Sequence, residues 1–368
     1  MRNGIMSAPV VFGWDVGGAH VKVSRVDAAG VVADIAQWAC PLWQGLDHLH
    51  RAIDAALARW PDACGAHARH AITMTGEMVD LFADRGHGVR ALVDALSERL
   101  GARAAFFAGA SGWLDAAQSV AQWRAVASAN WLATAQHVAA RMREGVRDCV
   151  LIDIGSTTTD IVPIVDARVA ARGNSDATRL VTGELAYHGV VRTPLCGIAH
   201  RIAFRGETAG VMNEWFATSA DIYRVTGELW PPHDQHASAD NGPKTIAASC
   251  ARLARTIGRD AADASEDEWR AFAHEWRNAQ LRAIGASVVQ VWAAHPSLAG
   301  APVVGAGCGR FLAAALASAH ARDYVDFGTF VQTAGDAPRD AAEWIATCAP
   351  SVAVAWLMAE RGREQRAA

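Results

Sequence analysis

Several features that define other protein classes are scarce or missing in this sequence. There is no run of basic residues, and 34 Lys and Arg residues against 38 Asp and Glu residues give a formal net charge of -4. A nucleic-acid-binding surface needs clustered positive charge, which this balance does not supply. No segment approaches the roughly 20 uninterrupted apolar residues of a membrane-spanning helix, and residues 1–9 lack the basic flank and apolar core of a secretory signal. These absences predict a cytoplasmic protein with no nucleic-acid partner and no membrane partner.

The cysteines do not form the sequence patterns that are typical of disulfide frameworks or structural zinc sites. Seven cysteines are scattered over the sequence, their number is odd, and none forms a Cys-x-x-Cys pair. This pattern argues against a disulfide framework and against a structural zinc site, and it fits a reducing compartment. Tyrosine is rare as well, with 3 residues against 14 tryptophans.

Apolar material, in contrast, is plentiful. Hydrophobic residues make up 51% of the 368 residues and charged residues 20%, which is a composition that folds rather than one that stays disordered. A chain of this length is too long for one ordinary core, and it fits two domains of about 150–200 residues each.

The first part of the chain opens with a strand, a turn and a second strand. The apolar run at 10–14 predicts a buried strand, and the alternation at 21–26 predicts its antiparallel neighbour. The sequence Asp-Val-Gly-Gly-Ala-His at 15–20, the first turn, joins them. Apolar residues at helical spacing follow at 46–60, 89–100 and 128–142. Ser128 is expected to cap the third of these helices.

The opening pattern returns in the second half. An apolar strand at 149–152 leads into Asp-Ile-Gly-Ser-Thr-Thr-Thr-Asp at 153–160, the second turn, and the leading aspartates of the two turns lie 138 positions apart. This recurrence predicts a duplicated α/β fold. The predicted boundaries are a first lobe at 1–148, a second lobe at 149–340, a mostly helical insertion within it at about 205–295, and a last helix at about 341–368 that packs back on the first lobe.

Both turns carry groups that bind phosphate. Glycine lets backbone N–H groups converge and lets a ligand approach closely. Asp15 and Asp153 are metal-ligand candidates, because a carboxylate at a strand end reaches a hydrated Mg²⁺ that bridges phosphate oxygens. Lys22 places a positive charge beside the first turn. The phosphate-binding candidates in the two turns are Gly17, Gly18, His20, Gly155, Ser156, Thr157 and Thr158.

A single hairpin of this kind is also what a plain glycine turn with a solvated aspartate looks like. Two such hairpins, each after an apolar strand and each opening a lobe, favour a pair of phosphate-binding turns instead.

The sequences at 13–22 and 153–160 resemble the two phosphate motifs of the actin/hexokinase/Hsp70 superfamily, and most of all its hydantoinase/oxoprolinase-related branch. Gly-Ala-Gly-Cys-Gly at 305–309 falls where that superfamily places its adenosine turn. This adds Gly305 and Gly307 to the phosphate-binding candidates. The resemblance implies two duplicated actin-like (ribonuclease H-like) lobes with a ligand cleft between them.

Three further segments narrow the resemblance to one subfamily. They are Met-Thr-Gly-Glu-Met-Val-Asp-Leu-Phe at 74–82, Ala-Asn-Trp-Leu-Ala-Thr at 129–134 and Arg-Thr-Pro at 192–194. Together they are similar to proteins of the tetrahydromethanopterin-linked one-carbon pathway, whose archaeal relatives are methanofuran-biosynthesis synthases. The similarity extends over about residues 10–350.

That subfamily implies a transferase with two small-molecule substrates. An aminomethylfuran diphosphate would react with the phenol of γ-glutamyltyramine, or of tyrosine, to give an aryl furfuryl ether and diphosphate, with Mg²⁺ as cofactor. Asn130 and Arg192 are the substrate-binding candidates. The catalytic candidates are Asp15, Lys22, Glu77 and Asp153. Asp153, Glu77 and His20 all stay open as the group that takes the proton of the phenol.

Two other readings remain beside this one. The chain could be an ATP-dependent kinase or an ATP-hydrolysing enzyme of the oxoprolinase kind, or a non-catalytic nucleotide-binding protein. Ala19-His20 replaces the Thr or Ser that many kinases of the superfamily carry in the first turn, and Cys308 interrupts the later glycine turn. Both departures favour a smaller diphosphate ligand over ATP. The sequence leaves both a monomer and a homo-oligomer open.

Overall fold

A computed structural model describes residues 9–142 and 146–367. The backbone divides into two compact units: unit 1 comprises Met1–Glu144 and Phe327–Ala368, and unit 2 comprises Gly145–Asp326. Residues 327–340, expected in the second lobe, therefore belong with unit 1. The reason is that this segment pairs with β-strand residue Val32 of unit 1. The Val32 N–H donates to the carbonyl of Gln332 (2.8 Å), and the Ala334 N–H donates to the carbonyl of Val32 (2.9 Å).

The described strands follow the chain in this order: β1 Val10–Val16, β2 His20–Val26, β3 Val32–Ala39, β4 Ala68–Met74, β5 Ala104–Phe107, β6 Trp113–Leu114, β7 Cys149–Ile154, β8 Thr159–Val165, β9 Arg168–Val169, β10 Leu185–Ala186, β11 Arg201–Phe204, β12 Glu207–Gly210, β13 Val303–Ala306 and β14 Tyr324–Asp326.

The described α-helices are α1 Asp47–Arg59, α2 Arg85–Leu100, α3 Ala116–Ala121, α4 Trp123–Val126, α5 Asn130–Arg141, α6 Asp176–Thr182, α7 Ser219–Thr226, α8 Ile246–Arg255, α9 Glu266–Ala294, α10 Arg310–Ala319, α11 Ala341–Thr347 and α12 Ala349–Ala367. Strands and helices alternate along much of the chain, and the predicted α/β class is confirmed.

The sheet of unit 1 has the order β3-β2-β1-β4-β5-β6. Its central strand β1 pairs antiparallel with β2 and parallel with β4, and six of its seven residues are buried. Helix α12 packs directly on this strand. A Cβ at Gly13 would lie 1.9 Å from the carbonyl oxygen of Ser351, and that oxygen accepts a hydrogen bond from Ser24 Oγ (2.8 Å). Glycine at position 13 thus lets a helix approach the backbone of the strand that carries Asp15.

The sheet of unit 2 repeats this plan, with the order β10-β8-β7-β13-β14 and with β9 paired to β8. Strand β7 is buried along its whole length. It pairs antiparallel with β8 and parallel with β13, as β1 does with β2 and β4. In each unit, therefore, an aspartate is the second-last residue of a buried strand that lies between an antiparallel and a parallel neighbour.

The insertion at about 205–295 is helical through α7, α8 and α9, but its start is not. Strands β11 and β12 form a two-stranded antiparallel ribbon there, which the sequence interpretation missed. Helix α9 is 29 residues long, and its buried residues recur every three or four positions, which is the spacing of a helix with one face in a core. Trp269 on this face stacks on Phe204 of β11, with ring centroids 5.0 Å apart.

The C-terminal segment differs from the single helix expected near its end. It is two helices, α11 and α12, that meet at 88°. Pro350 lies at the start of α12, and proline interrupts a continuing helix because it lacks an N–H and its ring clashes with the preceding turn. Within the described residues no single helix is long and apolar enough to cross a bilayer, although this bent pair passes that test by length and composition.

His70 on β4 is buried beside the strand that carries Asp15, and both of its ring nitrogens are used. Nδ1 accepts from the indole N–H of Trp14 (3.1 Å), so Nε2 carries the proton and donates to the carbonyl of Ala63 (3.1 Å). Burial lowers the pKa of His70 to about 4. Protonation would place a charge in the core and remove the acceptor of the indole N–H.

We expect this histidine to make unit 1 sensitive to acid. Below the unfolded-state pKa of about 6.5 the unfolded chain binds a proton that the folded chain refuses, so stability falls between pH 6.5 and 4, by at most about 3 kcal/mol. Urea unfolding followed by tryptophan fluorescence should show the midpoint falling across this range. His70→Gln should make that dependence shallower but not flat, because burial also lowers the pKa of His137 in the same unit, to about 3. His67→Gln at an exposed position should leave it unchanged. An equally steep pH dependence in His70→Gln would contradict the assignment.

Candidate functional site

The first turn follows β1, and an ion pair between Asp15 and Lys22 lies at its base. Asp15 pairs across the hairpin with Lys22, and Lys22 Nζ lies 3.5 Å from Asp15 Oδ2. Asp15 is buried (4% exposed). Lys22 is one of only two lysines in the sequence, and the other positively charged side chains among the 34 Lys and Arg residues are arginines.

The backbone of the first turn is fixed from one side. The N–H of Gly17 donates to the carbonyl of His20 (2.9 Å), and the N–H groups of Cys40 and Leu42 donate to the carbonyls of Ala19 (2.8 Å) and Gly18 (3.1 Å). These bonds hold the carbonyls of the turn on the side of residues 40–42.

Glu77, expected as a catalytic acid or base, lies in a buried ion pair. It is 1% exposed, and its Oε1 accepts from Arg85 Nη2 (2.9 Å) and from Ser128 Oγ (2.8 Å). Burial raises the pKa of Glu77, and the hydrogen bond and charge of Arg85 oppose that rise. Glu77 is therefore placed to hold Arg85 and Ser128 in position.

Ser128 is not the helix cap that the sequence suggested. Helix α5 begins two residues later, and Ser128 adopts a positive φ of 49° while its hydroxyl binds Glu77. Asn130 is the first residue of α5, and its Oδ1 accepts from the N–H of Trp131 (2.8 Å). The side chain of Asn130 thus makes a local contact at the helix start.

The second turn follows β7 and presents hydrogen-bond donors. The N–H of Gly155 closes the hairpin on the carbonyl of Thr158 (2.9 Å). No acceptor among the described residues binds the N–H groups of Ser156, Thr157 and Thr158. The hydroxyl of Ser156 is buried and has no partner in the described part of the chain. Buried polar groups are rarely left in this state, and a set of donors on one turn is what an anion requires.

Asp153 is the second-last residue of β7, at the base of this turn, and is 8% exposed. Position 307, in the later glycine turn, lies against it: Gly307 has a φ of +81°, and a Cβ there would be 2.6 Å from Asp153 Oδ1 and 2.1 Å from the carbonyl oxygen of Ile154. Only glycine fits this position. The glycine turn at 305–309 therefore packs on the carboxylate of Asp153 within unit 2.

Gly305, the other phosphate-binding candidate of the glycine turn, lies against Tyr324. It belongs to β13, and a Cβ there would lie 2.5 Å from the hydroxyl of Tyr324. Its small size makes room for the Tyr324 ring, whereas Gly307 is the member of the turn that reaches the second turn.

Arg192 lies next to the second turn. Its N–H donates to the carbonyl of Ser156 (2.9 Å). Burial lowers the pKa of Arg192, yet a guanidinium keeps its proton in proteins. Arg192 is thus a half-buried residue whose backbone adjoins the second turn.

The sequence interpretation missed Gly189, which packs on the second turn from behind. A Cβ at this position would lie 2.3 Å from the Ser156 carbonyl carbon and the Thr157 nitrogen. This contact could not be predicted from the sequence near Gly189, because its partner Ser156 lies 33 positions earlier in the chain.

No group of three or more His, Cys, Asp and Glu side chains that could hold a metal ion occurs in the described segments. Asp15 and Asp153 each stand as a single strand-end carboxylate. Such carboxylates suit Mg²⁺, which is bound through one or two of them together with substrate phosphates and water rather than by a protein cage.

In both units one strand–turn–strand plan recurs. A nucleotide-free structure of acetone carboxylase shares the fold: it aligns with a TM-score of 0.56 at 12% identity, covering 93% of this chain and 70% of that one. Residues 69–330 match the family described as hydantoinase/oxoprolinase. This chain belongs to that family.

Two curated relatives carry the same enzyme name, (4-{4-[2-(gamma-L-glutamylamino)ethyl]phenoxymethyl}furan-2-yl)methanamine synthase. The protein of Methanocaldococcus jannaschii is 29% identical over 279 residues, which are 76% of this chain and 81% of that protein. The protein of Methanococcus vannielii is 36% identical over 122 residues, which are 33% of this chain and 54% of that protein.

Proposed function

We propose that this protein is a transferase of methanofuran-type cofactor biosynthesis. It would condense an aminomethylfuran diphosphate with the phenol of γ-glutamyltyramine, or of tyrosine, to form an aryl furfuryl ether and release diphosphate. The similarity to the two synthases supports the reaction class. The observation that carries the proposal is the second turn, where three backbone N–H groups and the Ser156 hydroxyl have no acceptor among the described residues.

The reaction requires stabilisation of a leaving group. The phenol oxygen forms a bond to the methylene carbon, the bond from that carbon to diphosphate breaks, and diphosphate leaves with the electron pair. Donors already fixed where negative charge develops lower this barrier, because they need no reorganisation. The N–H groups and hydroxyl of the second turn are such donors, and Lys22 and Arg192 add positive charge in their respective units.

Mg²⁺ would neutralise charge on the leaving diphosphate. Within unit 2, Asp153 is the residue that would hold it, and Asp15 is the corresponding carboxylate of unit 1. Lys22 Nζ lies 3.5 Å from Asp15 Oδ2, so this buried carboxylate has an opposite charge beside it.

The phenol has an unperturbed pKa near 10, so its proton must leave to a base. Glu77 is engaged with Arg85 and Ser128 and is 1% exposed. Asp153, Glu77 and His20 are the candidates for this base. The same proposal includes small-molecule substrates. It also includes a cytoplasmic location, which the scattered cysteines predict.

The alternative is ATP-dependent chemistry of the oxoprolinase kind. One observation favours it: Gly307 contacts the carboxylate of Asp153, so a glycine turn adjoins the second turn, as a nucleotide site would require. The two functions differ in the phosphate compound consumed.

The test is incubation of the purified chain with Mg²⁺, aminomethylfuran diphosphate and γ-glutamyltyramine, with tyrosine in a parallel reaction. We expect inorganic diphosphate and an ether whose mass equals that of the two substrates less diphosphoric acid, detected by mass spectrometry, in the absence of ATP. ADP formation that depends on a second substrate, without ether, would establish the alternative and overturn the transferase.

A further inference from the structure

The second turn is held by a neighbouring stretch of chain, residues 189–193, which we term the backing segment. Val190 N–H donates to the carbonyl of Gly155 (3.0 Å), and the N–H groups of Val191 and Arg192 donate to the carbonyl of Ser156 (3.1 and 2.9 Å). Two successive carbonyls of the turn are thus bound from the same side.

This pattern fixes where the donors of the turn point. In a trans peptide the C=O of one residue and the N–H of the next point in opposite directions. Holding the carbonyls of Gly155 and Ser156 toward the backing segment therefore directs the N–H groups of Ser156 and Thr157 away from it. The orientation of the proposed diphosphate donors depends on the position of the backing segment.

The backing segment is in turn anchored to the long helix of the insertion. Gln280 of α9 is fully buried, and its Nε2 donates to the carbonyl of Gly189 (2.8 Å). Its Oε1 accepts from the hydroxyl of Tyr223 on α7 (2.7 Å). Burial raises the pKa of Tyr223, so the hydroxyl keeps the proton that it donates. Thr193 Oγ1 also donates to the carbonyl of Gly189 (3.0 Å).

We propose that Gln280 and Tyr223 are positioning residues for diphosphate binding: through Gly189 they set the orientation of the N–H donors of the second turn. This inference rests on the proposed function and adds to it. It assigns to the helical insertion a role in the site, although Gln280 and Tyr223 touch the turn only through the backing segment.

Two variants test the proposal, together with a matched control. Gln280→Met keeps side-chain length but removes both hydrogen bonds, and Tyr223→Phe removes only the hydroxyl. Gln290→Met is the control, because Gln290 lies on the same helix and also donates to a backbone carbonyl, that of Val181 (2.9 Å), away from the backing segment. Each protein is titrated with inorganic diphosphate and Mg²⁺ by calorimetry, its melting temperature is measured, and kcat and KM are determined with the diphosphate substrate.

We expect Gln280→Met to raise the Kd for diphosphate, and the KM of the diphosphate substrate, by about 3- to 10-fold, the range for one buried hydrogen bond. Tyr223→Phe should act in the same direction and more weakly, and Gln290→Met should match wild type. A lowered melting temperature with an unchanged diphosphate Kd would show a purely structural role and overturn the inference. If Gln280→Met does not fold, a wild-type Kd in Tyr223→Phe overturns it instead. Wild-type protein that binds no diphosphate would contradict the proposed function itself.

Discussion

Replacement of Asp153 by asparagine is expected to lower turnover by at least about 100-fold, the scale of losing one electrostatic contact to a developing charge. Asparagine has the same shape and fits beside Gly307, but it lacks the charge that would hold Mg²⁺ on the diphosphate. The measurement is the initial rate of ether formation at saturating substrate.

The matched control is Asp166→Asn. Asp166 lies in the same unit at the tip of the hairpin between β8 and β9, its side chain is 68% exposed, and its pair with Arg147 is a surface contact. Asparagine also tolerates the positive φ of 51° there. Circular dichroism and the melting temperature should be close to wild type for both variants. A fully active Asp153→Asn protein would remove this carboxylate from the mechanism.

Addition of one methyl group at Gly189 should affect activity about as strongly as the loss of Asp153. In Gly189→Ala the new Cβ would lie 2.3 Å from backbone atoms of Ser156 and Thr157. Backbone cannot turn aside as a flexible side chain can, so the second turn must shift by about an ångström, and a displacement of that size costs about 100-fold in rate. The variant should show a raised Kd for diphosphate and a reduced kcat.

Gly197→Ala supplies the comparison. Gly197 lies eight positions further along the same stretch, and a Cβ there would meet nothing within 4 Å. This variant should retain wild-type binding and rate. Wild-type diphosphate affinity in a folded Gly189→Ala protein would show that the second turn does not bind the ligand, or that it tolerates displacement.

Local patterns predicted the central strands well. Strands β1 and β7 are each an apolar run followed by aspartate and glycine, and such a run has few alternatives to a buried strand. The ribbon at the start of the insertion was harder to predict, because β11 and β12 have four residues each, too few for an alternating pattern to stand out. The expectation of a single C-terminal helix was wrong for a local reason, because Pro350 interrupts a continuing helix.

The residues proposed for the site divide in the same way. Asp15, Lys22, Asp153 and Ser156 belong to contiguous motifs, so the sequence could name them. Gly189 and Gln280 act on the second turn from 33 and more than 100 positions away, and no local pattern marks a contact of that range. Glu77 was named from its motif, but its partners Arg85 and Ser128 came together only in the fold.

The sequence by itself determined the repeated strand–turn–strand plan, the α/β class and the family, because these depend on short motifs whose spacing and apolar periodicity are written along the chain. Only the tertiary structure decided which side of each turn is bound and which is open to a ligand, and which glycines are required by close contacts. Those properties depend on hydrogen bonds and van der Waals distances between residues that are remote in sequence, and such distances exist only once the chain has folded.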